Sequence, residues 1–139
     1  IAAAGAIQPL VALLADGTVE GRTTAAGALG NPAFHYTNHA SIVDAGAIPL
    51  LLALLVDGTA AGRADVARAL GNLATNDQYK VTIAAAGAIS PLITLRRDGT
   101  IEEMADGAYA RRILAGNAAN QALIAAAAVV AAIARDAVL

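Results

Sequence analysis

The chain has 139 residues but no cysteine, no tryptophan, one phenylalanine, one methionine and a single lysine, Lys80. Without cysteine, a disulfide scaffold and a thiolate-ligated metal site are both excluded. Formal net charge is −2 and the sequence pI is near 5.5. No lysine-rich run exists, so nothing supplies the basic excess of a general nucleic-acid binder, and no nucleic-acid partner is expected. The longest uninterrupted apolar run, 122–134, has 13 residues. That is shorter than the roughly 20 a spanning helix needs, so the chain is expected not to span a membrane. Sustained period-2 alternation is absent too, and no strand is expected.

What the chain has is alanine, 39 of 139 residues, within a hydrophobic fraction of 58%. It is arranged periodically. Gly-Ala-Ile recurs at Gly5, Gly46 and Gly87, and Asp-Gly-Thr at Asp16, Asp57 and Asp98, each 41 residues apart. In this frame residues 4–44 match 45–85 at 20 of 41 positions, and 45–85 match 86–126 at 19 of 41. Coincident glycines, aspartates and threonines do not follow from alanine content, so this is a tandem repeat. The expected organisation is one solenoid of units 4–44, 45–85 and 86–126 with a partial unit 127–139. Both ends are apolar, so a segment of a longer chain is expected.

Each unit reads as three helical pieces. A short helix is predicted from about Asp77 to Ala85, stopping at Gly87. The next opens near Pro91, as its counterparts open near Pro9 and Pro49, and ends at Asp98-Gly99 with the glycine just past the helix. Thr100 is then an N-cap with Glu103 completing a capping box, and Thr18 and Thr59 can cap likewise but lack that glutamate. In the third piece Val66, Ala69, Leu70 and Leu73 form a buried stripe. Asp65, Arg68, Asn72 and Thr75 form a polar row on the other side. Pro32 is predicted to end or kink the corresponding helix of the first unit and push Asn31 out of the α region. Arg111 takes the slot of Leu29 and Leu70, so its helix is either rotated or borders solvent. An unbroken helix is predicted from about Ala118 to Asp136.

These residues resemble the armadillo repeat. The resemblance is carried by Ala-Gly-Ala-Ile-Pro-Leu-Leu-Leu-Ala-Leu-Leu (Ala45–Leu55), the Asp-Gly-Thr turn after it, and Ala-Arg-Ala-Leu-Gly-Asn-Leu-Ala (Ala67–Ala74). It implies an all-α, right-handed α-solenoid of armadillo-type three-helix repeats whose third helices line a concave groove. It also implies a non-catalytic, intracellular interaction or scaffold module, cytoplasmic or nuclear, that takes a protein or extended peptide in that groove. In importin-like members a Trp and an Asn four residues later face the groove, and the Asn holds the peptide backbone. The Asn slot here holds Asn31, Asn72 and Ile113, while the Trp slot holds Gly27, Arg68 and Tyr109. The asparagine ladder is kept twice and the tryptophan ladder not at all, which argues against nuclear-import cargo. The groove candidates are therefore Asn72, Arg68, Asp65, Thr75, Tyr109, Asp106, Ile113, Asn31, Thr24 and Phe34. The alternatives are a structural subunit of a larger complex, or the repeat region of a protein carrying a separate domain such as a ubiquitin ligase.

Other chemistries are weak in the sequence. His35 and His39 stand four apart, but no glutamate of the metalloprotease motif lies between them, so a solvated or capping role is expected and no metal. The glycine hinges follow no strand and lack the Gly-Lys-Ser/Thr of a phosphate loop. Asp-Gly-Thr lacks alternating oxygen ligands for calcium. Glu102 and Glu103 are adjacent and so face different sides of a helix. No catalytic residue and no cofactor are expected. The basic pairs Arg96-Arg97 and Arg111-Arg112 sit among Asp98, Glu102, Glu103 and Asp106, and are expected to form a solvated, salt-bridged face, with an anionic-partner patch as the alternative.

Overall fold

The computed structural model describes the backbone of residues 2–138 and the side chains of residues 5–30 and 33–137. Among these residues the chain is helical throughout, with no strand: α1 (Ala2–Asp16), α2 (Val19–Phe34), a 3-10 turn (Tyr36–Asn38), α3 (His39–Asp44), α4 (Ala47–Asp57), α5 (Ala60–Ala74), α6 (Asp77–Ala85), α7 (Ile89–Asp98), α8 (Ile101–Leu114) and α9 (Ala118–Val138). Helices α2, α5 and α8 lie side by side with α5 in the middle, and α1, α4 and α7 back them. One continuous apolar core runs from Ile7 through Leu51 and Leu70 to Leu114. Each fully buried leucine in it contributes about 2 kcal/mol. Alanine has a specific use here. Ala67, Ala69 and Ala110 are all 0% exposed, and short side chains at helix crossings let backbones approach closely.

Capping sets the start of each inner helix. Thr18, Thr59 and Thr100 accept from the backbone N–H of Gly21, Gly62 and Glu103 at 3.1, 3.1 and 3.2 Å. Glu103 Oε1 returns a bond to the Thr100 N–H at 3.0 Å, so the capping box is complete. Gly46 and Gly87 turn the chain with φ of +86° and +104°, a conformation that a Cβ disfavours. Gly58 and Gly99 follow the ends of α4 and α7 in a different conformation. Their φ values are −76° and −81°, so the backbone is extended. Glycine is required there because a Cβ would collide with the Leu54 or Leu95 carbonyl.

Two sequence expectations fail in the first unit. Helix α1 runs straight through Gly5 and contains Pro9, so no break separates a first and second piece. A glycine permits a turn without compelling one. At Gly46 and Gly87 the preceding helix is also packed on other helices, α3 on α1 and α2, and α6 on α5 and α8. Helix α2 likewise continues past Pro32 to Phe34, and Asn31 is within it. Proline in a last turn removes only one amide donor, and His39 Nε2–H donates to the Ala33 carbonyl at 2.7 Å, satisfying one of the open carbonyls of that end. His39 thus takes the capping role, buried at 1% exposure, while His35 is exposed.

Arg111 is half-buried, and α8 is not rotated. Its buried residues Glu103, Gly107, Ala110 and Leu114 occupy the same slots as Gly62, Val66, Ala69 and Leu73 of α5. Among the described residues α8 packs chiefly on α5 and α7.

Helix α9 is unbroken, as expected. Its segment Ala118–Ala137, with a mean hydropathy of 1.5 and 6% of it buried, is long and apolar enough to cross a membrane by length and composition. The 13-residue apolar run did not indicate this, because the few polar residues flanking it barely lower the mean. Its inner side packs Ile124, Ala127 and Ala131 on Ala84, Ile89 and Ile93. Asn117 caps its start, and Asn120 Nδ2 donates to the Lys80 and Leu114 carbonyls at 3.0 Å each.

Candidate functional site

The third-helix row brings six residues from three helices around one open cavity of about 390 Å³: Gly30 and Phe34 from α2, Arg68 and Asn72 from α5, Asp106 and Tyr109 from α8. Side chains three and four apart share a helix face, and the 41-residue period puts the equivalent face of each helix beside the last. Close approach depends on glycine. A Cβ on Gly30 would stand 3.3 Å from the Arg68 guanidinium, and one on Gly71 would stand 2.5 Å from the Tyr109 ring.

Asn72 is the polar centre of this face. Its Nδ2 donates to the Gly30 carbonyl at 3.3 Å, and its Oδ1 accepts from the Tyr109 hydroxyl at 2.7 Å. Both ends of the amide are therefore engaged across unit boundaries, and Asn72 is only 8% exposed. An extended peptide would have to exchange these bonds for its own backbone groups. Asp65 accepts from Arg68 at 2.9 Å, which holds the guanidinium along the row. The Arg112 guanidinium lies 5.7 Å from the Tyr109 ring centroid, a cation–π contact that orients the ring. Burial pushes the Tyr109 hydroxyl pKa above its ordinary value, opposed by the Arg112 charge.

Asp106 places a carboxylate on this face beside the Arg68 guanidinium. Burial raises its carboxyl pKa above the ordinary aspartate value, Arg68 opposes this, and the Asp65 and Glu102 charges add to the rise. It makes no ion pair among the described residues. A partly desolvated carboxylate beside two others favours a cationic side chain from outside.

The remaining candidates are placed as follows. Phe34 is 70% exposed at the cavity rim, with its ring edge-on to His35. Thr75 is exposed and its hydroxyl donates to the Asn72 carbonyl at 2.6 Å. Thr24 lines a separate cavity with Val19, Glu20, Thr23 and Thr59. Ile113 is partly buried and packs on the main core. The Asn31 side chain lies outside the described residues. Sequence reasoning missed Gly30, Arg112 and the Arg63–Glu103 bond of 2.7 Å between α5 and α8. The recurring Leu-Gly-Asn at 29–31 and 70–72 was the available signal for the first.

His39 is committed to Ala33, and no cluster of three His, Cys, Asp or Glu occurs among the described residues.

Comparison with known proteins agrees with the repeat. Residues 40–75 match the family model of the armadillo/beta-catenin-like repeat. Among solved structures, computationally designed armadillo repeat proteins for modular peptide recognition superpose with a TM-score of 0.81 at 30% identity, covering 88% of this chain and 53% of theirs. A designed armadillo repeat protein in complex with the peptide (KR)4 superposes with a TM-score of 0.82 at 29% identity, covering 94% of this chain and 56% of that one. The chain thus spans about half the length of these proteins. No curated protein matches it. The fold is a right-handed α-solenoid of armadillo type.

Proposed function

Since the chain belongs to the armadillo-repeat family, we propose that it is a non-catalytic interaction module whose α2–α5–α8 face takes an extended protein segment. The observation that carries this reading is the convergence of Phe34, Arg68, Asn72, Asp106 and Tyr109 on one open cavity. Asn72 supplies a donor and an acceptor at fixed spacing, which is what a peptide bond presents in return. Asp106, with Asp65 and Glu102 near it, selects a cationic side chain. Phe34 offers an exposed aromatic surface at the rim for an apolar residue.

Binding of a fluorescent peptide of alternating lysine and arginine, followed by anisotropy, tests this. Asn72→Ala should weaken binding at least about tenfold, as loss of a central polar anchor does. Unchanged affinity would overturn the groove reading. Binding should also fall on acidification, and the fall should begin above the ordinary aspartate value of 3.8, because Asp106 takes up its proton early.

The uncovered apolar side of α9, with Val129, Val130 and Ile133 each about 60% exposed, favours a second reading as a structural subunit covered by a neighbour. We read α9 itself as a solenoid helix and not a span. Asn120 ties it to α6 and α8, and Ile124, Ala127 and Ala131 seat it on α6 and α7.

A further inference from the structure

The arginines of the third unit do not form the salt-bridged face that their sequence neighbourhood suggested. Of its four arginines only Arg97 has an acidic partner among the described residues, Asp98 at 3.1 Å, while Arg96, Arg111 and Arg112, and Arg135 of the partial unit after it, have none within ion-pair distance. Arg96 occupies the slot of Leu14 and Leu55, both 2% exposed, and Arg111 that of Leu29 and Leu70, both fully buried. Two core slots of the repeat thus hold like charges in this unit. The Arg111 Nε is buried without any hydrogen-bond partner. Burial, and then the charge of Arg96, holds its guanidinium below the ordinary arginine range.

Between α7 and α9 lies a cavity of about 320 Å³ whose walls carry Arg96, Arg97 and Arg135 over a floor of Ile93, Ala128 and Ala132. Among the described residues no carboxylate lines it, and it shares no lining residue with the α2–α5–α8 cavity. Arg97 is partly engaged, through Asp98 and through the Ala131 carbonyl at 3.4 Å. Arg96 and Arg135 make no side-chain hydrogen bond or ion pair among the described residues. Arginine forks match the oxygens of a tetrahedral oxyanion, and three of them around one space call for more than one negative charge. The alanine and isoleucine floor suits an apolar group attached to that anion.

From this arrangement we infer that the α7–α9 cavity binds a phosphomonoester dianion, held by Arg96, Arg97 and Arg135, with its organic part against the alanines of α9. The site is independent of the peptide groove.

Phenyl phosphate is the probe, followed through the arginine Nε–Hε resonances. The expected result is that the Arg96, Arg97 and Arg135 signals move together and saturate. Affinity should rise from pH 5 to pH 7.5, as the second phosphate proton, with a pKa near 6, is lost. Arg135→Ala and Arg96→Ala, each checked for an unchanged melting temperature, should weaken binding at least about tenfold. Vesicles containing phosphatidic acid distinguish the source. Competition with phenyl phosphate and loss in the same variants assign the dianion to a lipid headgroup, and absence of competition assigns it to a soluble ester. No response to phenyl phosphate, an undiminished response in both variants, or vesicle binding alone would overturn the site.

Discussion

Helices α5 and α8 occupy the same slot one repeat apart, yet they live in different surroundings. Helix α5 is packed by α2 on one side and α8 on the other, whereas α8 has α5 on one side and, among the described residues, no second third-type helix on the other. Leu70 is therefore fully buried, and its counterpart Arg111 is only half-buried. Gly71 admits the Tyr109 ring, and its counterpart Arg112 instead lies over that ring. The difference teaches that burial in this fold is supplied by the neighbouring unit, not by the helix itself, as expected of a stack in which each repeat contacts only its neighbours.

The largest break in this comparison should come from paired truncations. Leu70→Ala removes a fully buried side chain from the middle of the core and should cost about 3 kcal/mol in urea unfolding. Arg111→Ala, at the same slot, should cost less than about 0.5 kcal/mol or stabilise, since it removes a guanidinium with an unpartnered buried Nε. Equal losses would mean that both faces of α8 are covered.

Next in size is Gly71→Ala, whose Cβ would stand 2.5 Å from the Tyr109 ring and must displace it. A cost of about 2 kcal/mol is expected from such overpacking, with a changed tyrosine fluorescence. Arg112→Ala, the same slot on α8, should stay within about 0.5 kcal/mol.

A smaller loss than that of Leu70→Ala or Gly71→Ala is expected of Glu103→Gln. It keeps the capping box, which glutamine can close, and weakens the bond to Arg63, itself about one-third exposed. A loss of about 1 kcal/mol at neutral pH is expected. Its pH dependence sharpens the assignment. Burial pushes the Glu103 pKa up, but the Arg63 hydrogen bond, the Thr100 N–H and the Arg63 charge outweigh burial, and the net shift is downward from 4.5. The contribution is therefore fully present above about pH 4.5 and lost as pH falls through the lowered value. The difference between wild type and variant should shrink on acidification.

Much of the architecture was legible because it is local. Helix α6 has the predicted bounds, and Thr100 with Glu103 makes the predicted cap, since both depend on residues within one turn. The straight course of α1 through Gly5 was not legible, because glycine and proline set what a backbone permits while tertiary packing selects among the permitted forms. The groove was half legible. The 41-residue frame put Asn72, Arg68 and Asp106 on one side. That Asn72 is bridged to Gly30 and Tyr109 depends on side-chain reach across two unit boundaries, which spacing does not encode. The arginine-lined α7–α9 cavity was hidden for the same reason: Arg97 and Arg135 are far apart in sequence and meet only through the course of α9.

The side-chain amide resonances of Asn72, followed while a lysine–arginine peptide is titrated into the protein, report the groove most directly. Both protons should shift and saturate with the bulk binding curve as the bonds to Gly30 and Tyr109 are exchanged for bonds to the peptide backbone. Saturable binding with the Asn72 amide unmoved, and shifts confined to α9, would contradict a peptide groove on the third-helix face.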